Sequence, residues 1–366
     1  VRVTLYMDAT TVGGAEITTG YLLAELDPAI EVSVLGVDRA ATEAVASSRP
    51  GTSSHLVPRA GHKADLPAIA AHVRAVRSLQ PDVLHVNLHS PWQGQYGIVA
   101  GLLNRCPVVA VEHSAYGSRS RVRRVLRRAL CSQLAGHIAV GEVAARRIEQ
   151  LIGLASGAVE TINNGVPDLP LNPMPRAGSG PVIGAVGRFT REKGLDLVIR
   201  ALSTLHQDVA CVLIGDGPER ASLERLAAEL GVSERLTMTG WVDRPRDYLP
   251  GLDVVAMPSR FEAFGLVAIE AALAQRPVVA AAVDGIPEAV VDGETGVLVP
   301  PDDPNALADA IALLLGDPRR REEMGRQGRS RALDRFSVSR MARSYESVYR
   351  RLAGLDESSP HGSSTL

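Results

Sequence analysis

The stretch DVVAMPSRFEAFGLVAIE, residues Asp253–Glu270, decides how this chain is read. Its opening DVVAMP is an apolar, β-branched run that fits a strand buried on both faces of a parallel sheet. A polar turn follows, and Gly265 opens a helix. Two carboxylates, Glu262 and Glu270, stand eight residues apart, one before the helix and one inside it. The start of a helix offers free amides and the positive end of a dipole, which suits an anion. Acids beside such a site fit a ligand with a charged middle and hydroxylated ends. If a sugar diphosphate lies there, its phosphates need amides and cations, while Glu262 would meet the sugar and Glu270 the ribose. Without that ligand, Glu262 is a solvated loop acid and Glu270 a helix-surface acid.

The same strand–turn–helix unit recurs outward in both directions. PVIGAVG (Pro181–Gly187), DVACVLIG (Asp208–Gly215), RLTMTG (Arg235–Gly240) and RPVVAAA (Arg276–Ala282) are further strands of the second half. In the first half VRVTLYM, EVSVLGV, DVLHVN, PVVAVE and HIAV play the same part. Helical spacing appears at Leu195, Val198, Ile199, Leu202 and Leu205, and again at Val338, Met341, Tyr345, Val348 and Leu352. Alternating strands and helices imply an α/β fold with doubly wound parallel sheets. The expected organisation is a Rossmann-like domain over 1–168, a proline-rich linker over 169–181 and a second Rossmann-like domain over 182–336. A C-terminal helix over 337–353 is expected to cross back to the first domain, with a disordered tail over 354–366. The two domains are expected to face each other across a cleft, because ligands of such sheets bind beyond the carboxyl ends of the strands.

Composition narrows the function. The 366 residues are 45% hydrophobic and 22% charged, with a net charge of −2, which gives no field for nucleic acid. Three widely spaced cysteines without a CxxC pair argue for a reducing compartment and against a zinc site. No apolar run of membrane-spanning length and no signal peptide is present, so a cytoplasmic enzyme is expected. The segment Arg119–Leu134 carries six arginines. A solvated face is the favoured reading of it, ahead of docking on anionic lipid.

Several strand ends carry candidate ligand contacts. In GRFTREKG, Arg188 and Lys193 lie in the loop that feeds a helix, as two cations suited to a diphosphate or as two surface charges. VLIGDGPE places Gly215 after a strand in half of a dinucleotide fingerprint, and an ordinary turn explains it as well. TVGGAE places Gly13 and Gly14 before a helix, for amide contacts to a ligand or for a tight turn. His113 ends a strand and His85 lies within one. Asn87, His89 and Trp92 mark the edge of the first domain as candidate contacts to a second substrate, with Trp92 stacking on a ring of it or merely covering the sheet. No D-x-D triplet occurs, so fixed cations and a helix end take the place of a metal at the diphosphate.

In this order, GRFTREKG, VLIGDGPE, PSRFEAFGLVAIEA and DGIPEAVVDGETGVLVPPDDP resemble the retaining family-4 glycosyltransferases of the GT-B fold. The likeness covers nearly all of the second half, and more loosely the first half through GG, PDVLHVN, the strand ending in His113, and INNGV. Glu262 and Glu270 match its E-x7-E motif, which implies that the first touches the donor sugar and the second the ribose. The resemblance further gives Arg188 and Lys193 to the diphosphate, helped by amides around Phe264, Gly265 and Leu266. The segment Met238–Val242, with Gly240 and Trp241, would border the base, and Gly14 would close on the phosphates. His113 would lie beside the reacting carbon. Ala263, Asp284 and Gly141 depart from the pattern at positions where glycine, glycine and serine are frequent.

The expected function is retaining transfer of a hexose from a nucleoside-diphosphate sugar, UDP ahead of GDP, to a hydroxyl of a small polar acceptor such as a cyclitol or natural-product aglycone. No cofactor or metal is expected. Lipid- or polysaccharide-directed transfer is the alternative within the family. A sugar-nucleotide epimerase or hydrolase on the same fold is the rival of another class. A nicotinamide dehydrogenase has only the Rossmann alternation in its favour.

Overall fold

The computed structural model describes residues 1–62, 65–89, 93–115, 120–176 and 180–355, apart from the side chains of Arg121 and Arg123. Trp92 and tail residues 356–366 lie outside the described residues. The chain forms two compact units, one made of Val1–Gly165 with the segment from Val338 onward, the other of Val166–Ser337.

The first unit is built on seven parallel strands: β1 (Arg2–Met7), β2 (Glu31–Gly36), β3 (Ser53–Leu56), β4 (Val83–Leu88), β5 (Val108–Glu112), β6 (Gly136–Ala139) and β7 (Glu160–Thr161). Their order across the sheet is β3-β2-β1-β4-β5-β6-β7. The helices between them are α1 (Gly14–Glu25), α2 (Arg39–Ala46), α3 (Leu66–Leu79), α4 (Gln95–Leu103), α5 (Arg121–Cys131) and α6 (Glu142–Ile152). Every residue of β4 and β5 is buried, as the apolar runs require of strands covered on both faces. Strands β3 and β7 escape the sequence reading. SSHL has no apolar face and is exposed throughout, and β7 has two residues.

The second unit carries β8 (Val182–Val186), β9 (Ala210–Ile214), β10 (Leu236–Met238), β11 (Val254–Met257), β12 (Val278–Ala281) and β13 (Gly296–Val299), in the order β10-β9-β8-β11-β12-β13. All pairings are parallel. Its helices are α7 (Leu195–Thr204), α8 (Arg220–Glu229), α9 (Leu266–Leu273), α10 (Ile286–Ala289), α11 (Pro304–Gly316) and α12 (Pro318–Arg335). Helix α7 buries Leu195, Val198, Ile199 and Leu202, the face its spacing marks as apolar.

The proline-rich stretch expected as a linker is attached to the second unit, which starts at Val166. The amides of Asn172 and Met174 donate to the Asp247 side chain and carbonyl at 3.0 and 2.9 Å. Arg176 pairs with Asp253. These bonds give the stretch fixed partners, which composition alone does not reveal.

The last described helix, α13 (Val338–Leu352), belongs to the first unit. Glu346 accepts from the Asp27 amide at 2.8 Å, and Arg350 pairs with Asp27 at 2.7 Å. The Tyr349 hydroxyl meets His85 Nδ1 at 2.6 Å inside the sheet. Burial pushes His85 down to about 4, so its ring is neutral at pH 7. Because the unfolded ring titrates near 6.5, the stability that neutral His85 supports is complete above that pH. It drains away as pH falls toward 4, by as much as about 3 kcal/mol. Thermal melts across this range should therefore lose more stability in the wild type than in His85→Gln. Parallel curves for the two proteins would show that His85 is not held neutral.

Candidate functional site

In the second sheet the chain runs β8, β9, β10 to one side and β11, β12, β13 to the other. The carboxyl ends of β8 and β11 are therefore a topological switch point, where no crossover covers the loops. GRFTREKG leaves β8 there and PSRFEAFG leaves β11. Lys193 and Glu262, one from each loop, form an ion pair across it, with Nζ and Oε2 at 2.5 Å and side chains 27% and 15% exposed. The sequence reading gave them to different parts of a ligand; the structure pairs them with each other. Arg188, beside them on the β8 loop, is exposed and makes no ion pair among the described residues.

The loops fit together through absent side chains. Gly194 has φ +65°, and a Cβ on it would stand 2.1 Å from the Pro258 carbonyl oxygen. Gly215 has φ +135°, and its Cβ would stand 2.1 Å from the Gly187 oxygen. Larger residues at either place would push the strand ends apart. Gly215 is also bridged to Gly240, which draws the end of β10 alongside. Trp241 follows, 74% exposed, and Val242 is half-buried. Gly265 caps α9, and buried Phe264 packs edge-on against Phe336 with ring centroids 5.6 Å apart.

Arg260 was not anticipated. Its guanidinium grips both oxygens of Asp196 at 2.7 and 2.9 Å, Asp302 at 2.5 Å and the Arg191 carbonyl at 3.0 Å. Its amide donates to the Glu192 carbonyl at 2.7 Å. One side chain thus fixes the Lys193 loop to the Glu262 loop and to the first turn of α7. The bidentate contact draws the Asp196 carboxyl below the usual range, against the opposing effect of burial.

Glu270 does not join the Lys193–Glu262 pair. It sits on α9 with its nearest charge Arg246, at 4.0 Å. Burial pushes its carboxyl up to about 7, with Arg246 pulling the other way. Arg246 Nη2 donates to the Pro167 carbonyl at 2.8 Å, while its Nε and Nη1 are buried without a hydrogen-bond partner. Both residues line a cavity of about 390 Å³ together with Asp168 and Arg329.

The first unit has a switch point of its own between β1 and β4. Glu16, in the first turn of α1, accepts from the Gly13 amide at 2.9 Å and pairs with His89 Nε2 at 2.9 Å. Glu16 therefore occupies one of the amides that the paired glycines were expected to offer. Its place, three residues after the N-cap, is the capping-box position that reveals such a contact in sequence. His89 stacks on His113, with rings 5.6 Å apart and 17° from parallel. Burial and the neighbouring His89 and His85 hold His113 well below its ordinary range. Asn87 corrects the expectation that it lines the acceptor: it is 1% exposed, and both its polar atoms are engaged by Thr19, His85 and His113.

Helix α5 is only partly a solvated face. Arg127 reaches inward to Glu112, which is fully buried and also 3.0 Å from His137. On the outside Val122, Val125 and Leu126 are 69, 67 and 58% exposed. No described helix is long and apolar enough to cross a membrane. The described residues hold no group of three or more His, Cys, Asp and Glu placed to bind a metal.

Two family models match the chain: "Glycosyltransferase Family 4" over residues 12–168 and "Glycosyl transferases group 1" over 173–331. An alpha-D-kanosaminyltransferase of Streptomyces kanamyceticus is 31% identical over 218 residues, 58% of this chain and 56% of that protein. A D-inositol 3-phosphate glycosyltransferase of Corynebacterium urealyticum is 39% identical over 196 residues, 50% of this chain and 46% of that one. The chain thus spans about half the length of the curated relatives it matches. The crystal structure of Anabaena HepE in complex with UDP superposes with a TM-score of 0.84, covering 96% of this chain and all of that one at 21% identity, which shows the fold. Matched along both halves and sharing this two-sheet architecture, the chain belongs to the family-4-type glycosyltransferases of the GT-B fold.

Proposed function

We propose that this protein transfers a hexose from a UDP-sugar to a hydroxyl of a small polar acceptor, with retention at the anomeric carbon. The observation that carries the reading is the Lys193–Glu262 pair at the switch point, with exposed Arg188 beside it and Gly265 capping α9. A diphosphate arriving there exchanges one anion for another on Lys193 and frees Glu262 for the sugar hydroxyls. Arg188 adds a second cation, and the amides at the start of α9 add fixed dipoles. In the reaction the bond from C1 to the phosphate oxygen breaks and the bond from C1 to the acceptor oxygen forms on the same face. The acceptor proton passes to the departing diphosphate. Stabilising that leaving group is the main catalytic contribution, and fixed cations supply it without a divalent metal. His113 is assigned to the donor sugar. The UDP donor is supported by the UDP-bound structural neighbour, and a cyclitol-like acceptor by the relative named for D-inositol 3-phosphate.

A lipid-borne acceptor is the second reading, favoured by the exposed Val122, Val125 and Leu126 on arginine-rich α5. One experiment separates the two. Purified protein with excess EDTA is incubated with UDP- and GDP-hexoses and with inositol, aminocyclitols or anionic vesicles, and product is followed by mass spectrometry. Transfer to a soluble cyclitol from a UDP-sugar supports the main reading. Transfer only in the presence of vesicles supports the second. Activity that appears only after magnesium or manganese is added would sink the metal-free mechanism.

The two glutamates should separate by ligand. Each hydrogen bond from a hydroxyl to a carboxylate is worth about 1.5–3 kcal/mol. In calorimetry, Glu270→Ala should weaken bare UDP by about 10–100-fold. Glu262→Ala should leave UDP binding nearly unchanged and depress turnover. Since Glu270 titrates near 7, its carboxylate prevails above that pH, and wild-type affinity for UDP should fall as pH drops below it. In Glu270→Gln that part of the pH dependence should vanish. A reversal of the two variants would reverse the assignment.

Lys193→Ala should lower kcat/KM by roughly 10²-fold, through the lost charge-assisted contact to the diphosphate. The double variant Lys193→Ala/Glu262→Ala should fall short of the product of the single losses, because each single change leaves a charge of the pair without its partner. Strict multiplicativity would mean that the two groups act independently.

A further inference from the structure

Five residues of the first unit form one unbroken hydrogen-bond chain, and the direction of every bond in it follows from the chemistry of its ends. Thr19 Oγ1 lies 2.8 Å from the Ala15 carbonyl, one helical turn back. A carbonyl only accepts, so the single hydroxyl proton of Thr19 is spent there. Toward Asn87, 2.9 Å away, Thr19 Oγ1 can then only accept. This turns the Asn87 NH2 toward Thr19 and the Asn87 Oδ1 the other way. That oxygen lies 2.9 Å from His85 Nε2 and 3.0 Å from His113 Nε2. An amide oxygen cannot donate, so both imidazoles must carry their proton on Nε2. His85 Nδ1 is left as an acceptor, and the Tyr349 hydroxyl of α13 fills it at 2.6 Å.

His113 Nδ1 is left as an acceptor too, and no described residue hydrogen-bonds to it. The ring is partly exposed, held in place by His89 stacked on one face. With its proton fixed on Nε2 and the ring kept neutral by burial, the side chain offers a lone pair and no donor to a ligand.

We propose that Asn87 is a positioning residue that sets His113 as a neutral hydrogen-bond acceptor at Nδ1, and that a hydroxyl of the hexose or of the attacking acceptor donates to it. The functional half of this rests on the glycosyl-transfer reading; the tautomer does not. A group that accepts from a hydroxyl fixes its rotamer and the direction of its lone pairs. Through Asn87 and His85 the same assignment ties His113 to Tyr349, so a residue of α13 shares in setting the ring.

The test is two-armed and uses the full chain. In the first arm, 15N-labelled histidine NMR at pH 7 reads the tautomer of His113 directly. A proton on Nε2 with bare Nδ1 is expected. A proton on Nδ1, which a reversed Asn87 amide would produce, or an imidazolium, overturns the proposal. In the second arm, Asn87→Ala should mix the tautomers and lower kcat about tenfold or more while KM for the donor stays within about threefold. Should Asn87→Ala fail to fold, Thr19→Val removes only the acceptor that orients the amide and should give the same signature in weaker form. A wild-type Nε2 tautomer with kcat unchanged in a folded Asn87→Ala overturns the positioning role, even as wild-type turnover leaves the glycosyl-transfer reading standing. If wild type transfers no sugar at all, that reading fails, and the spectra still decide the tautomer.

Discussion

Everything at the site depends on the gap that opens where a parallel sheet changes its direction of growth. On either side of that point, crossover helices cover the sheet and loops are packed against neighbours. At the point itself two loops leave in opposite directions and expose their backbone and charges to whatever fills the space between them. In both units a side-chain pair stands there: the Lys193–Glu262 ion pair after β8 and β11, and His89 with Glu16 after β4 and β1. Both pairs hold polar side chains at low exposure. Arg260 adds stiffness, because four acceptors on three segments share one planar cation.

The alternation of strands and helices was legible because it is a local property. Runs such as DVVAMP and PVVAVE have no polar face, and α7 and α13 repeat their apolar residues at 3.6-residue spacing. The motif residues around Lys193, Glu262 and Gly265 were legible for a related reason: they stand in short loops whose ends are pinned by strands. What was not legible is long-range. Arg260 and Asp196 lie 64 residues apart, and His85 and Tyr349 lie 264 apart. No periodicity links such pairs. The proline-rich stretch misled for the same reason, since its partners Asp247 and Asp253 come from elsewhere in the unit. Asn87 looked like a surface residue because polar side chains seldom lie within a buried strand. It tolerates that place because three neighbours satisfy both ends of its amide.

The environments of the two glutamates differ in a way their spacing conceals. Glu262 has a cation within contact distance and sits in a loop. Glu270 lies a turn and more into α9, away from the amides at its start, with its one cation at the edge of contact. A carboxyl that titrates near neutrality is one whose burial has nearly cancelled its charge. On the proposed reading, a ribose hydroxyl donating to Glu270 would favour the ionised form, so that binding and ionisation would reinforce each other.

The return of α13 to the first unit also has a consequence for how the chain is made. Residues 166–337 form one contiguous unit. The first unit, although it starts earlier, has to wait for the second unit to be translated before its last helix arrives. Until then the buried ring of His85 lacks the hydroxyl that completes it. The polar chain reaching from Tyr349 to His113 therefore cannot close until α13 has been made, although its other members belong to the half of the chain synthesised first.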